Sequence, residues 1–131
     1  MSPLDPRRRD LVKCEDMRIH SERARQFLGS RSFEEFLSDE LVQDAVIRCV
    51  EVVGEAARQV SDTTREQTSD MPWALVIGMR NILAHDYGGV DLEQVYRVVM
   101  ENIPELLTHL GGLIARLERE AGWRGENDPR E

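Results

Sequence analysis

The sequence MRNILAHDYGG, residues 79–89, ends an apolar helical run that extends from Trp73 to Ala84. The rest of the chain is organised around this helix end, because Gly88 and Gly89 break the helix directly after it. Polar groups suited to phosphate and proton chemistry gather there within eight positions: Arg80, Asn81, His85 and Tyr87. Such a concentration at one helix end predicts a functional site.

The side chains of this cluster suggest individual roles. Arg80 carries a permanent charge on a planar fork of donors that fits phosphate oxygens bidentately. His85 titrates near neutral pH, so it can accept or donate a proton, and Asn81 and Tyr87 can donate hydrogen bonds to oxygen. Together they suit attack of a ribose 2′-hydroxyl on its neighbouring phosphate, with no metal required.

Helix geometry leaves the arrangement of this cluster open. At about 100° per residue, Arg80 and Tyr87 share a face of an unbroken helix, whereas His85 points roughly 140° away from Arg80. Either the helix loosens near Ala84, or a second copy of the chain completes the site. A third reading is that Arg80 and His85 are ordinary helix-end residues, since the helix dipole favours cations at a C-terminus.

The spacing of the cluster is similar to a known signature. Arg80, four residues, His85, one residue and Tyr87, with Asn81 directly after the arginine, resembles the motif of HEPN-domain ribonucleases, specifically HepT toxins of HepT/MNT toxin–antitoxin systems. The likeness covers nearly the whole chain, in the same order: Ser32–Leu37, Gln43–Arg48, Gly54–Ala57, Pro72–Trp73, Ile77–Asn81 and Tyr87–Asp91.

The resemblance implies a metal-independent endoribonuclease toxin of a type VII-like system, all-helical and dimeric. It implies that Arg80 and His85 are catalytic, with Asn81 beside them, and that no cofactor is needed. The implied partner is a minimal nucleotidyltransferase antitoxin, which transfers AMP from ATP onto the motif tyrosine, here Tyr87. The added adenylate places bulk and negative charge beside Arg80, so loss of RNA binding is expected.

Length and composition bound the class of protein. A chain of 131 residues suffices for one domain, and we expect a helical domain over 1–120 and a polar, disordered tail over 121–131. No apolar run could span a bilayer, and the basic start lacks the apolar stretch of a signal peptide, so we expect a soluble, cytoplasmic protein. Cys14 and Cys49 lie on apolar faces without metal-ligand spacing, which predicts buried free thiols and no metal site.

The net charge opposes nucleic-acid binding in part. The formal net charge is −8, whereas nucleic-acid binders usually carry a basic surface. RNA binding then requires a local cluster around Arg80, with Arg48 and Arg58 as the first candidates and Arg65 and Arg97 as others. For any one of these arginines taken singly, a solvated helix face is the favoured reading. We expect no DNA partner.

Apolar periodicity predicts four helices and one short helical turn. The helices are predicted at about Arg8–Leu28, Asp39–Val60 with Ser38 as its cap, Pro72–Ala84, and Asp91 to about residue 118 with a bend at Pro104. The short turn is predicted to pack Phe33, Phe36 and Leu37 onto the core, and the polar segment 61–70 is predicted to be a loop or a frayed helix end.

The second of these helices has the clearest pattern. Its inward face comprises Val42, Ala45, Val46, Cys49, Val53, Ala56 and Val60. The small residues Gly54, Ala56 and Ala57 permit close approach of another helix. Glu51 and Glu55 lie one turn apart, within pairing range of Arg48 and Arg58, and orientation of Arg80 by either glutamate is a further possibility.

The pattern as a whole favours an all-α, up-and-down four-helix bundle with an apolar face left for a homodimer. Two function classes follow. One is the ribonuclease toxin. The other is a non-catalytic HEPN module that binds nucleotide or supports a nucleotidyltransferase partner. The Arg80, Asn81 and His85 combination favours the enzyme, because a binding module does not need a titrating group beside the arginine.

Overall fold

The computed structural model describes residues 6–82 and 89–122 of the chain. Over these ranges it is helical without any strand, which confirms the predicted all-α class. The elements are α1 (Pro6–Leu28), α2 (Phe33–Leu37), α3 (Glu40–Arg58), α4 (Asp62–Gln67), α5 (Trp73–Gly78) with a following 3₁₀ turn (Met79–Ile82), α6 (Leu92–Arg97), a π turn (Val98–Asn102) and α7 (Ile103–Glu120).

Helices α1 and α3 form the centre of the bundle. Helix α1 packs against α3 and α7, and α3 also packs against α5 and the 3₁₀ turn. Helix α1 begins two residues before its predicted start and ends where predicted. Gly29 has a φ of 59°, which suits glycine, and its N–H donates to the Arg25 carbonyl at 2.8 Å.

The short helix α2 confirms the predicted turn. Ser32 and Glu35 form a reciprocal capping box at its start, which satisfies two otherwise unpaired N–H groups. Phe36 is fully buried, but Leu37 is 46% exposed, so the prediction that Leu37 packs onto the core is wrong. The core on this side is completed by Tyr96, whose ring contacts both phenylalanines of α2.

Helix α3 has the predicted apolar face, but its N-cap is Asp39, one residue after the predicted Ser38. The Asp39 carboxylate accepts from the Val42 N–H at 3.1 Å, and the Ser38 hydroxyl instead donates to the Glu35 carbonyl at the end of α2. The prediction of Ser38 as the cap was therefore wrong. Val50 is also fully buried although the predicted inward face omitted it.

Segment 61–70, predicted to be a loop or a frayed end, contains the separate helix α4 with Ser61 as its N-cap. A buried carboxylate holds this helix against α1. Asp10 is 3% exposed and accepts hydrogen bonds from the Ser61 N–H at 2.9 Å, the Ser61 hydroxyl at 2.6 Å and the Thr64 hydroxyl at 2.5 Å. These partners lie about fifty positions away in sequence, so local periodicity could not reveal them.

The predicted fourth helix consists of three consecutive parts. Asp91, the predicted start of this helix, caps α6 by accepting from the Gln94 N–H. The chain then forms the π turn, in which the Ile103 N–H donates to the Val98 carbonyl, and Pro104 follows in the first turn of α7. The irregularity near Pro104 was predicted as a bend, and it takes the form of a π turn that ends just before this proline.

The two thiols are as predicted, since Cys14 and Cys49 are buried and free. Burial raises the pKa of Cys14 to about 12, and the nearby charges of Asp10 and Glu15 add to this effect. Among helices of the described ranges, none has the length and apolar character needed to cross a membrane. The predicted tail falls mostly on 123–131, outside the described residues.

Candidate active site

Arg80 lies at the point where α5 tightens into the 3₁₀ turn. Of the two alternatives, a helix that loosens near Ala84 or a site completed by a second copy, neither is tested, since Ala84 lies outside the described residues; the α-helical geometry ends at Gly78. Trp73, Val76 and Met79 anchor this segment in the core. The Trp73 indole N–H also donates to the Thr68 carbonyl and hydroxyl oxygens. The candidate catalytic arginine is therefore carried by a firmly packed element.

Gly54 of α3 allows Arg80 to come close. A Cβ built on Gly54 would lie 2.9 Å from the Arg80 Cγ, 3.1 Å from the Arg80 backbone nitrogen and 3.4 Å from the Val76 carbonyl oxygen. The first two distances are shorter than carbon and nitrogen atoms tolerate without movement. The close helix approach predicted from Gly54 is confirmed, and it occurs at the motif arginine itself.

Glu55, the next residue of α3, binds the Arg80 side chain. Its Oε2 lies 2.8 Å from the Arg80 Nε, and its Oε1 accepts from an Arg58 terminal nitrogen at 3.1 Å. The pKa of Glu55 is lowered, mainly by the Arg58 hydrogen bond and further by the charges of Arg58 and Arg80. At neutral pH the carboxylate is therefore charged and bridges both arginines.

Among the residues that the structure describes, the ion pair of Arg80 is made at Nε. Glu55 engages Nε, whereas the two terminal nitrogens are those that can grip two oxygens of one phosphate. The Arg80 side chain is 45% exposed. Asn81, the next residue of the 3₁₀ turn, is also exposed. His85 and Tyr87, the other two, lie outside the described residues.

The remaining candidate arginines each pair with an acidic residue on their own helix. Arg48 pairs with Glu51 at 2.7 Å, Arg97 with Glu93 at 3.6 Å, and Arg65 with Asp62. These contacts match the alternative reading of solvated helix faces. Arg58 differs, because its partner Glu55 also holds Arg80. Of the weaker RNA-binding candidates, Arg58 is thus the one that the described contacts connect to the motif.

The sequence pattern does not distinguish Glu55 from Glu51 as a partner of Arg80, but the structure does. Glu51 pairs with Arg48 one turn before the site, whereas Glu55 reaches Arg80. The available signal was the adjacent Gly54. Glycine has no side chain, so the backbone that carries Arg80 can come closest to α3 at Gly54. Glu55, beside Gly54, is then the glutamate that can reach Arg80.

Comparisons with known proteins place the chain in a family. The family model described as ribonuclease HepT-like matches residues 17–111, a range that contains Glu55, Arg80 and the motif up to Tyr87. A Methanocaldococcus jannaschii protein named "Putative RNase MJ1380" is 35% identical over 81 residues, 62% of this chain and 74% of that protein. A Thermococcus cleftensis protein named "Probable ribonuclease HepT" is 36% identical over 92 residues, 70% of this chain and 84% of that protein.

No solved structure matches the chain significantly. The family match nevertheless covers well over half of the sequence. It includes the helix pair that carries Gly54, Glu55 and Arg80. The chain belongs to the HepT-like ribonuclease family.

Proposed function

We propose that this chain is an endoribonuclease toxin of a type VII-like HepT/MNT system and cleaves RNA without a metal ion. The observation that carries the proposal is the half-exposed guanidinium of Arg80, held at the end of a packed helix by an ion pair between its Nε and Glu55. Arg80 would stabilise the negative charge that builds on the phosphoryl oxygens during cleavage. Residues 1–120 would form the catalytic domain, acting as a homodimer.

The proposed reaction is an internal transfer at phosphorus. The ribose 2′-oxygen attacks the adjacent phosphate and forms a 2′,3′-cyclic phosphate, while the bond to the 5′-oxygen of the next nucleotide breaks. His85 accepts the proton of the 2′-hydroxyl, and the imidazolium so formed gives a proton to the departing 5′-oxygen, which returns His85 to its starting state. Asn81 orients a phosphate oxygen. Every atom of this step comes from the RNA and the chain, so no added nucleophile or metal is required.

Cleavage of RNA in the presence of EDTA tests the reaction. We expect the purified chain to cut a mixed-sequence oligoribonucleotide equally well with and without the chelator, and to leave a cyclic phosphate end detectable by mass spectrometry. A His85→Ala variant serves as the matched inactive protein. RNA that stays intact with the parent chain, or cleavage abolished by EDTA, would contradict the proposal.

Neutralisation is proposed to occur at Tyr87. A minimal nucleotidyltransferase would join the tyrosine oxygen to the α-phosphorus of ATP and release pyrophosphate, leaving AMP on the side chain. We expect the intact mass after coexpression with such an enzyme and ATP to rise by one or more adenylates, and a Tyr87→Phe variant to stay unmodified. An unchanged mass together with full loss of RNA cleavage would show that the partner inhibits by binding alone.

The second candidate function is a non-catalytic HEPN module that binds nucleotide or supports a nucleotidyltransferase. The acidic net charge of −8 favours this reading over RNA binding. Under it, the purified chain would bind ATP or the partner and leave RNA intact. The EDTA experiment therefore separates the two candidates directly.

A further inference from the structure

One carboxylate on α3 binds two arginines through different oxygens. Glu55 Oε2 contacts Arg80 Nε at 2.8 Å, and Oε1 contacts Arg58 at 3.1 Å. The Arg58 pair lies within α3 and holds the glutamate in place. The Arg80 pair links α3 to the 3₁₀ turn that carries the candidate catalytic residues. Arg58 thus holds Glu55 in place, and Glu55 in turn holds Arg80.

Glu55 contacts Arg80 at Nε, and the choice of this nitrogen matters for phosphate binding. Nε is the nitrogen nearest the side-chain stem, so an ion pair there restricts rotation of the guanidinium plane without covering its outer edge. An arginine fixed in this way loses less conformational freedom when it binds a phosphate. A carboxylate that bound both terminal nitrogens would instead compete with the phosphate.

The position of Glu55 is set by backbone packing. Gly54 lets the Arg80 backbone approach α3, and this places the next side chain of α3 within reach of Nε. Glu51 lies one turn earlier on the same helix and pairs with Arg48. Of the two glutamates, Glu55 contacts Arg80 and Glu51 contacts Arg48. Glu51 therefore provides a matched control.

We propose that Glu55 is a positioning residue that holds the guanidinium plane of Arg80 in the orientation needed to bind the scissile phosphate. This inference rests on the proposed ribonuclease function. Because Glu55 is negative and lies beside the arginine, it also weakens attraction of the RNA backbone. Its removal is therefore expected to lower kcat and, at the same time, to lower KM or leave it unchanged.

The contact itself can be tested without any activity. In ¹⁵N-labelled full-length protein, the Arg80 Nε–H resonance is assigned by its loss in the Arg80→Lys variant. We expect this proton to exchange with water more slowly in the parent chain and in Glu51→Ala than in Glu55→Ala, because the negative charge of the carboxylate 2.8 Å from Nε opposes loss of the proton. A proton that exchanges equally slowly in Glu55→Ala would show that Glu55 does not hold Arg80, and would overturn the proposal.

The role of the contact is tested by kinetics on a fluorophore-labelled, quenched oligoribonucleotide. We expect Glu55→Ala to lower kcat by about tenfold or more, since misplacement of a reacting group is costly, while Glu51→Ala stays within about twofold. Glu55→Gln keeps an acceptor for Nε but removes the charge, so it should retain kcat within about threefold and lower KM.

Three results separate the possibilities. If Glu55→Gln and Glu55→Ala lose kcat equally and both unfold at lower urea concentration, Glu55 serves stability only and the positioning role is wrong. If Glu55→Ala cleaves as fast as Glu51→Ala, the role is also wrong. If the parent chain does not cleave RNA, the proposed function fails and the catalytic role of Glu55 with it, and the Nε–H exchange then reports a structural ion pair only.

Discussion

Arg80→Ala is expected to lower kcat/KM for RNA cleavage by about 10²–10³, the usual effect of removing one group that stabilises developing oxyanion charge. The structure presents this guanidinium half-exposed, with Nε engaged by Glu55. Alanine removes both the positive charge and the hydrogen-bond donors of the guanidinium group. Initial rates on the quenched oligoribonucleotide, with folding checked by circular dichroism, provide the measurement.

Two further variants define the reason for this loss. Arg80→Lys keeps a positive charge but cannot present two donors to one phosphate, so we expect it to remain impaired by about tenfold or more. Arg18→Ala is the control, because Arg18 lies on α1 and pairs with Glu15 and Glu22. Equal activity of Arg80→Ala and Arg18→Ala would remove Arg80 from the mechanism.

Gly54→Ala is expected to destabilise the chain by up to about 2 kcal/mol, although alanine is the better helix former. Helix propensity alone favours the substitution by about 1 kcal/mol. The new Cβ, however, would lie 2.9 Å from the Arg80 Cγ and 3.1 Å from its backbone nitrogen, and overpacking of this kind costs about 1–3 kcal/mol. Both atoms lie near or in the backbone, so a change of side-chain rotamer relieves the clash poorly.

Gly111→Ala is the matched control for this prediction. Gly111 lies within α7, and a Cβ there would have no atom within 4 Å. It should therefore gain about 0.5–1 kcal/mol from propensity. Urea unfolding of both variants measures the difference, and RNA cleavage should fall only in Gly54→Ala because Arg80 is displaced. A stabilised, fully active Gly54→Ala would contradict the close approach of the two helices.

Much of the fold follows from local patterns in the sequence. The extent of α1, the short α2 and the apolar face of α3 arise from periodicity and caps that neighbouring residues determine. The wrong cap at Ser38 was a choice between two adjacent residues, whereas the missed helix α4 depends on a distant partner. Ser61 and Thr64 form part of a helix start because the Asp10 carboxylate, about fifty positions earlier, accepts their hydrogen bonds.

In the candidate site, too, local sequence predicts residue types but not the contacts between distant residues. The residue types at Arg80 and Asn81 indicate phosphate chemistry by themselves, and Gly54 indicates a close contact. The sequence could not determine which residue Gly54 contacts, nor which of two glutamates one turn apart reaches the arginine. That choice depends on the packing of α5 and its 3₁₀ turn against α3. The predicted roles of His85 and Tyr87 stay predictions, since both residues lie outside the described ranges.

The π turn at Val98–Asn102 has a consequence for insertions and deletions in this family. Its Ile103 to Val98 hydrogen bond encloses one residue more than an α-helical turn does. A π turn takes up one extra residue within a single turn, so loss of one residue there would restore a regular helix and leave the parts before and after it in nearly the same relative orientation. The buried leucines Leu106, Leu110, Leu113 and Leu117 would then stay in the core. Loss of one residue within α7 has no such turn to absorb it and would rotate every later residue by about 100°.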